Sequence, residues 1–344
     1  MPKQGDHISK EDRLIDLDFV EHGIKTYFSA SNNYSIRFFS AGEATVAFNR
    51  MVEIYAIAKQ NAGKHLQVEL QTNGYFSDEV ADWIERNVNI LWISLDGPPQ
   101  IHDAQRPTAK GLPSSPVILN NVKRFAENKT MQFGVRATIL EENFNKQIEL
   151  IDYFNSLGIK FVCVAPAYSS EVNQNVSTPK LLKFAEGFVP AYLSAKQKDI
   201  FYQTHLMVNF DEKVNCYCRS CTTPPSPQLT SDGYVSCCDW ASFGPKYLPG
   251  VLQDCVYGKW DIFKKRIEYF EDKKRNIENR NSHNLVSGSC KGCDIINHCA
   301  GGCIGKIIVQ SGALHKKDPN WCEAVKYLKK HLPESDGLFP VLHS

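Results

Sequence analysis

The distribution of cysteines constrains this chain more than any other feature of its sequence. All 12 cysteines of the 344 residues lie at or after Cys163, and 11 of them fall between Cys216 and Cys322. The first residues contain no apolar segment of the kind found in export signals, and the thiols of cytosolic proteins are kept reduced. A cysteine cluster of this density therefore indicates metal binding rather than a scaffold of disulfides.

Charge and hydropathy exclude two classes of partner. The formal net charge is +1, and the order of residues shows no basic face of the kind that binds nucleic acid. No run of 18 apolar residues occurs, so no membrane span is predicted. Apolar residues at 42% and charged residues at 22% are typical of globular proteins. We expect a cytoplasmic protein that binds neither nucleic acid nor a membrane.

The first half of the chain alternates short apolar runs with helical patterns. Five runs are predicted as strands: residues 34–39, 66–70, 90–94, 133–139 and 159–164. A helix is predicted before the first strand, and Ser77 and Gly158 have the residue types that begin and end helices. Strands that alternate with helices form a parallel sheet or barrel, whose ligands lie at the carboxyl ends of the strands.

The second half has a different character. Beyond a predicted helix over residues 181–193, periodicity weakens while cysteines and turn residues accumulate. We place a domain boundary near Thr204, with a strand–helix domain over 1–203 and a cysteine-rich domain over 204–344. The charged stretch 271–280 is expected to continue a helix that begins near Ile262.

Four cysteines lie within 14 residues, in the spacing CxxCx5Cx3C from Cys290 to Cys303. Thiolates select zinc, copper(I) or iron–sulfur clusters. A zinc ribbon is the alternative, because Cys218–Cys221 and Cys290–Cys293 are two CxxC pairs. A zinc ribbon would use four cysteines as ligands and would leave four others without a ligand role: Cys238, Cys299, Cys303 and Cys322. Cys163 is interpreted as a small core residue, and Cys237 and Cys255 as incidental or structural.

The run from Cys221 to Cys322 resembles the SPASM domain. The pattern of that domain is a cysteine, nine to fifteen residues, a glycine, four residues and a cysteine, then CxxCx5Cx3C and a final cysteine. Here Gly233 and Cys238 follow Cys221 at the required spacings. The resemblance implies two [4Fe–4S] clusters. One would be held by Cys290, Cys293, Cys299 and Cys322. The other would be held by Cys221, Cys238, Cys303 and an upstream thiol, for which Cys216 is favoured over Cys218.

SPASM domains are usually fused to radical-SAM barrels, and the first 165 residues resemble one. The segment Ser40-Ala-Gly-Glu-Ala44 is similar to the GGEP motif, which holds the methionyl amino group of S-adenosylmethionine (AdoMet). Gly42 and Glu43 match the motif, whereas Ala41 and Ala44 depart from it. By the same resemblance, further residues at strand ends would contact the cofactor: Thr72, Asn73, Ser94, Asp103 and Arg106.

The catalytic motif of the radical-SAM family is missing. No cysteine precedes Cys163, so the CxxxCxxC that binds the catalytic cluster after the first barrel strand is absent. The expected fold is α/β, a partial (β/α)6 radical-SAM barrel that lacks its first strand, followed by a cysteine-rich SPASM domain. Three explanations remain open: a fragment or misplaced start codon, a naturally truncated partner protein, or a redesigned site. The retained cofactor-facing sequence favours the first, and we expect this chain to bind AdoMet weakly or not at all.

The resemblance also implies a function. Among SPASM proteins the chain is most similar to anaerobic sulfatase maturases and related enzymes that modify peptides or proteins. Asp239, directly after Cys238, occupies the place of the aspartate that removes a proton as the product forms, although a surface aspartate is the alternative. The implied partners are a peptide or protein substrate and a reducing protein such as a flavodoxin or ferredoxin. The alternative function is a non-catalytic iron–sulfur protein that transfers electrons or binds peptides beside an intact enzyme.

Overall fold

A six-stranded parallel sheet organises the first part of the protein. The computed structural model describes residues 14–39, 42–168, 180–206, 227–248, 250–299 and 301–332. The strands of the sheet are β1 (Ser35–Phe38), β2 (Gln67–Thr72), β3 (Ile90–Ser94), β4 (Gln132–Ile139), β5 (Phe161–Pro166) and β6 (Phe201–Thr204). They lie side by side in chain order, and each neighbouring pair is parallel.

Helices connect the strands. They are α1 (Leu17–Ser31), α2 (Phe48–Ala62), α3 (Asp78–Asn87), α4 (Pro99–Gln105), α5 (Ser115–Ala126), α6 (Gln147–Ser156) and α7 (Leu181–Gln197). Parallel crossovers are right-handed, so a strand order that never reverses places the connecting helices on one face of the sheet. This is the topology of the partial (β/α)6 barrel expected from the sequence. All the carboxyl ends of the strands therefore lie along one edge.

The strand count expected from the sequence was wrong. The structure adds β6, which follows α7 directly after a turn in which Asp199 adopts a left-handed conformation with φ 52°. Such turns usually contain glycine, so no residue pattern indicated a turn at Asp199. Tyr202 anchors the strand, because its buried hydroxyl donates a hydrogen bond to Gln147 Oε1 at 2.9 Å. Among the described residues, no strand pairs with the outer side of β1, as expected for an edge strand.

The two faces of the sheet have different partners. Leu91 and Ile93 on β3 belong to the main hydrophobic core, which includes residues of the helices. The alternate residue Trp92 packs in a separate cluster with Phe161 and Cys163 of β5. Because successive side chains of a strand point to opposite faces, this cluster marks the face away from the helices. The prediction that Cys163 is a packing residue agrees with this position.

The cysteine-rich part contains a second sheet. Its strands are β7 (Gln228–Leu229), β8 (Tyr234–Ser236), β9 (Val256–Asp261) and β10 (Arg266–Tyr269). Neighbouring strands are antiparallel, in the order β10-β9-β8-β7. The helices are α8 (Glu271–Glu278), α9 (Ser282–Ser287), α10 (Ile296–Cys299), α11 (Ile304–Ser311) and α12 (Pro319–His331). In the described part of the chain, no helix is long and apolar enough to cross a membrane.

The helix expected to begin near Ile262 does not exist. Residues 256–269 form the hairpin of β9 and β10, and α8 begins only at Glu271. Asp261 Oδ1 accepts hydrogen bonds from the amides of Phe263 and Lys264, each at 3.0 Å. A side chain that bonds to nearby backbone amides in this way favours a turn over a helix. The many charged residues between 262 and 280 favoured a helix prediction, although exposed and buried residues alternate along the first part of β10.

The last helix joins the two parts of the chain. Trp321, Ala324 and Leu328 of α12 belong to the same core cluster as Phe184 and Phe188 of α7. The helix α12 starts with Asp318, whose carboxylate accepts a hydrogen bond from the Asn320 amide at 3.0 Å. Residues near the end of the predicted cysteine-rich domain are thus packed against the parallel sheet's helical layer. The boundary near Thr204 stays a prediction.

Gly187 provides a test of the packing around α7. In a helix interior, alanine is usually more favourable than glycine by about 1 kcal/mol. A Cβ on Gly187, however, would lie 1.9 Å from the carbonyl oxygen of Phe144. We expect Gly187→Ala to lower the free energy of unfolding by about 1–3 kcal/mol, measured by urea denaturation. The control is Gly250→Ala, where nothing lies within 4 Å of the new Cβ. Equal stabilities of the two variants would contradict the prediction.

Candidate functional site

Four cysteines from three separate elements line one hollow. Cys290 and Cys293 lie in the turn between α9 and α10, Cys299 ends α10, and Cys322 lies in the first turns of α12. Ile307 and Trp321 are among the other walls of this hollow. The structure therefore brings together all four residues of the first predicted ligand set.

The thiols of this hollow are held in an apolar environment. Burial raises the pKa of Cys299 to about 12, and the neighbouring Cys322 and Cys290 act in the same direction. Burial also raises the pKa of Cys322. Such thiols lose their protons when a metal compensates the negative charge. Four soft sulfur donors around an apolar space fit an iron–sulfur cluster. No three Cys, His, Asp or Glu side chains converge to hold a single metal ion among the residues described.

A buried arginine fixes the turn between Cys299 and Cys303. Arg280 is 1% exposed. Its guanidinium donates hydrogen bonds to the carbonyl oxygens of Gly301 at 2.6 Å and Leu314 at 2.7 Å. Gly301 and Gly302 have φ of 76° and 77°, a region that favours glycine. The turn directs Cys299 into the hollow, whereas Cys303 lies outside it.

A second group of thiols surrounds Cys303, which is the N-cap of α11. A Cβ on Gly305 would lie 2.5 Å from Cys238 Sγ, so the Cys238 sulfur is in close contact with the first turn of α11. The side chain of Cys255 hydrogen-bonds with the Cys238 thiol, and this contact and burial raise the pKa of Cys238. The sequence interpretation of Cys255 as incidental or structural did not link it to Cys238, because no spacing motif connects the two residues.

The remaining candidate ligands cannot be placed. Cys216, Cys218 and Cys221 lie outside the described residues. The choice between Cys216 and Cys218 as a ligand therefore stays a prediction. Cys238 and Cys303, the two described members of the second predicted ligand set, do lie together.

Asp239 lies beside the second group of thiols. It begins a short 3-10 helix, Asp239–Ala241, directly after Cys238. Its side chain is exposed. The next residue, Trp240, meets the ring of Tyr168 edge-on at 6.2 Å between centroids. Because Tyr168 follows β5, this contact places Asp239 near the carboxyl edge of the parallel sheet.

Glu43 connects the ends of β1 and β2. Its carboxylate accepts hydrogen bonds from the Thr72 hydroxyl at 2.7 Å and from the Asn73 amide at 2.6 Å. Thr45 donates a further hydrogen bond from its hydroxyl at 2.8 Å. Three of the residues predicted to bind AdoMet therefore form one hydrogen-bonded group. Gly42 immediately precedes Glu43 in this loop.

The other predicted cofactor residues have partners within the protein. Asp103 Oδ1 accepts hydrogen bonds from the amides of Ser114 and Ser115, at 2.9 and 2.8 Å, at the start of α5. Desolvation acts to raise the pKa of Asp103, but hydrogen bonds from Ser115 and Ser114 outweigh it, so that the pKa is lowered. Arg106 forms a two-point ion pair with Asp96, with Nε 2.6 Å from Oδ2. Ser94 is buried at the end of β3. Contact between these residues and a cofactor stays a prediction.

Sequence reasoning missed a chain of polar side chains between β1, β2 and β4. Arg136 and Arg37 donate hydrogen bonds to the same Gln71 side-chain oxygen, at 2.7 and 3.1 Å. Arg37 also pairs with Glu69, at 3.2 Å between Nε and Oε1. Glu69 and Gln71 alternate with the core residue Leu70, so they lie on the face away from the helices. The sequence signal that could have indicated these side chains is the polar residue at every second position of β2, an otherwise apolar strand.

Comparisons with known proteins extend this description. No protein-family model matches the sequence. The chain is 24% identical over 305 residues to the cysteine-type anaerobic sulfatase-maturating enzyme of Clostridium perfringens, covering 83% of this chain and 78% of that protein. The solved structure of anSMEcpe with bound AdoMet superposes with a TM-score of 0.71 at 17% identity, over 92% of this chain and 84% of the other. The structure of Streptococcus suis SuiB bound to the precursor peptide SuiA gives a TM-score of 0.58 at 14% identity, over 93% and 71% of the two chains.

The role of Arg280 can be tested without any bound group. Arg280→Met removes the donors to three buried carbonyl oxygens, those of Gly301, Gly302 and Leu314, and we expect it to lower the free energy of unfolding of the metal-free chain by about 3 kcal/mol. Arg275→Met is the control, because that side chain is 69% exposed, and its effect should stay within about 0.5 kcal/mol. Urea denaturation measures the free energy of unfolding of both variants. Similar small effects of the two substitutions would show that the turn does not depend on Arg280.

Proposed function

We propose that this chain belongs to a radical-SAM enzyme of the SPASM class, which modifies a side chain of a peptide or protein once a CxxxCxxC segment for the catalytic cluster is present. The observation that carries the proposal is the convergence of Cys290, Cys293, Cys299 and Cys322 on one hollow. The fold supports it, as does the similarity to the sulfatase-maturating enzyme. The structural neighbour SuiB holds a precursor peptide, which supports a peptide or protein as the substrate class.

Two [4Fe–4S] clusters would occupy the cysteine-rich part. Cys290, Cys293, Cys299 and Cys322 would hold one, and Cys238 and Cys303 would hold the other together with Cys221 and Cys216. When bound, these clusters carry single electrons, and AdoMet supplies the oxidant that removes a hydrogen atom from the substrate. A reducing protein such as a flavodoxin or ferredoxin would deliver the electrons. We place this chemistry in the cytoplasm.

The residues of the parallel sheet would orient the cofactor. Glu43, held by Thr72 and the Asn73 amide, presents a carboxylate that would bind the methionyl amino group. Gly42 would let the backbone approach the cofactor, and Ser94, Asp103 and Arg106 would lie beside its sugar and carboxylate. Asp103 and Arg106 could act in this way only through atoms that their contacts with Ser115 and Asp96 leave available.

Asp239 is the candidate proton acceptor. Its carboxylate follows Cys238 directly and is exposed beside Trp240. It would take a proton from the substrate side chain as the substrate is oxidised, and Cys238 next to it would help to hold the cluster that carries the electron away. Its exposure leaves the carboxylate accessible to a substrate at the carboxyl edge of the sheet. Nothing in the comparisons favours the alternative of a non-catalytic partner protein.

Iron and sulfide content tests the ligand assignment. The chain, reconstituted anaerobically, should bind roughly eight irons, with an equal amount of sulfide. Cys299→Ser should remove about half of that iron, because it removes one thiol of a single hollow. Cys163→Ser, which alters a packing residue of the parallel sheet, should leave the iron content unchanged. Stoichiometric zinc with little iron would contradict the two-cluster assignment.

Substitution of Asp239 tests the proton acceptor. In a version of the chain that cleaves AdoMet, Asp239→Asn should leave cleavage and iron content intact while product formation falls by about 10². Asp272→Asn, whose side chain is fully exposed on α8, is the matched control. Product and 5′-deoxyadenosine are measured together by mass spectrometry. Unchanged turnover would make Asp239 an ordinary surface residue, and loss of iron would make it a support of the cluster.

The missing CxxxCxxC predicts the behaviour of the chain as written. Residues 1–162 contain no cysteine, and cleavage of AdoMet requires an iron with an open coordination site. We expect no 5′-deoxyadenosine after anaerobic incubation with dithionite and AdoMet, but activity in a version extended upstream through a CxxxCxxC segment in the same reading frame. Multiple turnovers by the short chain would overturn this prediction.

A further inference from the structure

A buried lysine joins α11 to the parallel sheet. Lys306 is only 9% exposed. Its Nζ lies 2.9 Å from His205 Nε2 and 3.4 Å from the centroid of the Tyr168 ring. Tyr168 follows β5 and His205 follows β6, so the lysine reaches from the cysteine-rich part to the carboxyl edge of the sheet. No sequence motif had singled it out.

The partners of Lys306 do not neutralise its charge. In the parts of the chain that the structure describes, no ion pair includes this amine. Burial, together with Lys306 and Arg136, holds the pKa of His205 well below its usual value. Lys306 Nζ and His205 Nε2 are close enough for a hydrogen bond, in which a protonated amine donates to the ring nitrogen. A buried cation without a counter-charge is costly, by several kcal/mol.

Among the described residues, the groups of negative charge that act on Lys306 are thiols. Cys303 and Lys306 are three residues apart at the start of α11, so their side chains share one face of the helix. The backbone of Gly305, between them, touches Cys238 Sγ. Trp240 next to Cys238 meets the same Tyr168 ring that lies under the ammonium. Burial and the nearby Arg136 lower the pKa of Lys306, and it stays at about 7 even though Cys303 and Cys238 act in the opposite direction.

We propose that Lys306 is the counter-charge of the iron–sulfur cluster held by Cys238 and Cys303, and that it makes this cluster easier to reduce. The inference rests on the proposed function, because it requires that cluster. A cluster with four thiolate ligands is an anion, and reduction adds a further negative charge. A fixed cation beside it stabilises the reduced form more than the oxidised form. Lys306 is a positioning residue in this sense, since it acts through the cluster.

The test is a redox titration of the reconstituted full chain, followed by electron paramagnetic resonance as dithionite is added with mediators. In Lys306→Met, one of the two titrating components should become harder to reduce by about tenfold in its equilibrium, which is 59 mV for a one-electron couple. Lys306→Arg keeps the charge and should retain the original potential. Lys317→Met is the control, because Lys317 lines the hollow of the other four thiols and should leave this component unchanged.

The outcomes separate the two proposals. Failure of the unaltered chain to assemble any cluster overturns the proposed function itself. Full iron content in Lys306→Met with both potentials unchanged overturns the inference alone. Loss of a cluster in Lys306→Met that Lys306→Arg restores supports the counter-charge. Loss that Lys306→Arg does not restore assigns Lys306 to packing and overturns the inference.

Discussion

The turn at Gly301 and Gly302 determines where both groups of thiols lie. Two consecutive residues in the left-handed region reverse the chain between Cys299 and Cys303. Arg280 stabilises this reversal by donating hydrogen bonds to the carbonyl oxygen of Gly301 and, across the loop, to that of Leu314. There is no room for a side chain, because a Cβ on Gly302 would lie 2.7 Å from Trp321 Nε1. The separation of Cys299, which lines the hollow, from Cys303, which lies outside it, depends on that backbone conformation.

The parallel sheet brings together residues that are far apart in the sequence. Its strands follow the chain without a reversal, so residues far apart in sequence meet along one edge. Glu43 and Thr72 meet there through a direct hydrogen bond, and Tyr168 and His205 meet there around the ammonium of Lys306. The sheet therefore supplies both the predicted cofactor residues and the surface against which the cysteine-rich part packs.

The sequence predicted some of these features well because they depend on local patterns. Five of the strands of the parallel sheet follow apolar runs, and the resemblance to the SPASM domain assigned Cys290, Cys293 and Cys299 to one group. The strand β6 was not predicted, because it is four residues long and follows a turn made by Asp199 rather than glycine. The β9–β10 hairpin was not predicted, because its turn depends on hydrogen bonds from two backbone amides to the side chain of Asp261.

The candidate site was harder to predict, since it depends on contacts that no spacing records. Sequence alone assigned Asp103 and Arg106 to a cofactor, and the structure shows that the first caps α5 and the second pairs with Asp96. Neither Lys306 nor Cys255 belonged to a motif, and both lie beside Cys238 through tertiary packing. Burial and charge compensation, which decide the roles of such residues, appear only when the chain is folded.

The packing of α12 on α7 has a consequence for the durability of the protein. Cys322 belongs to a helix whose apolar residues are part of the main core, whereas Cys290 and Cys293 lie in a turn that packs in a separate small cluster with Leu285 and Ile296. A cluster bound by all of them would act as a cross-link that closes a long loop, and a group that binds only the folded state stabilises that state. Oxygen damage to the cluster would then extend beyond electron transfer. It would weaken the attachment of α12 and, through it, the helical layer of the parallel sheet.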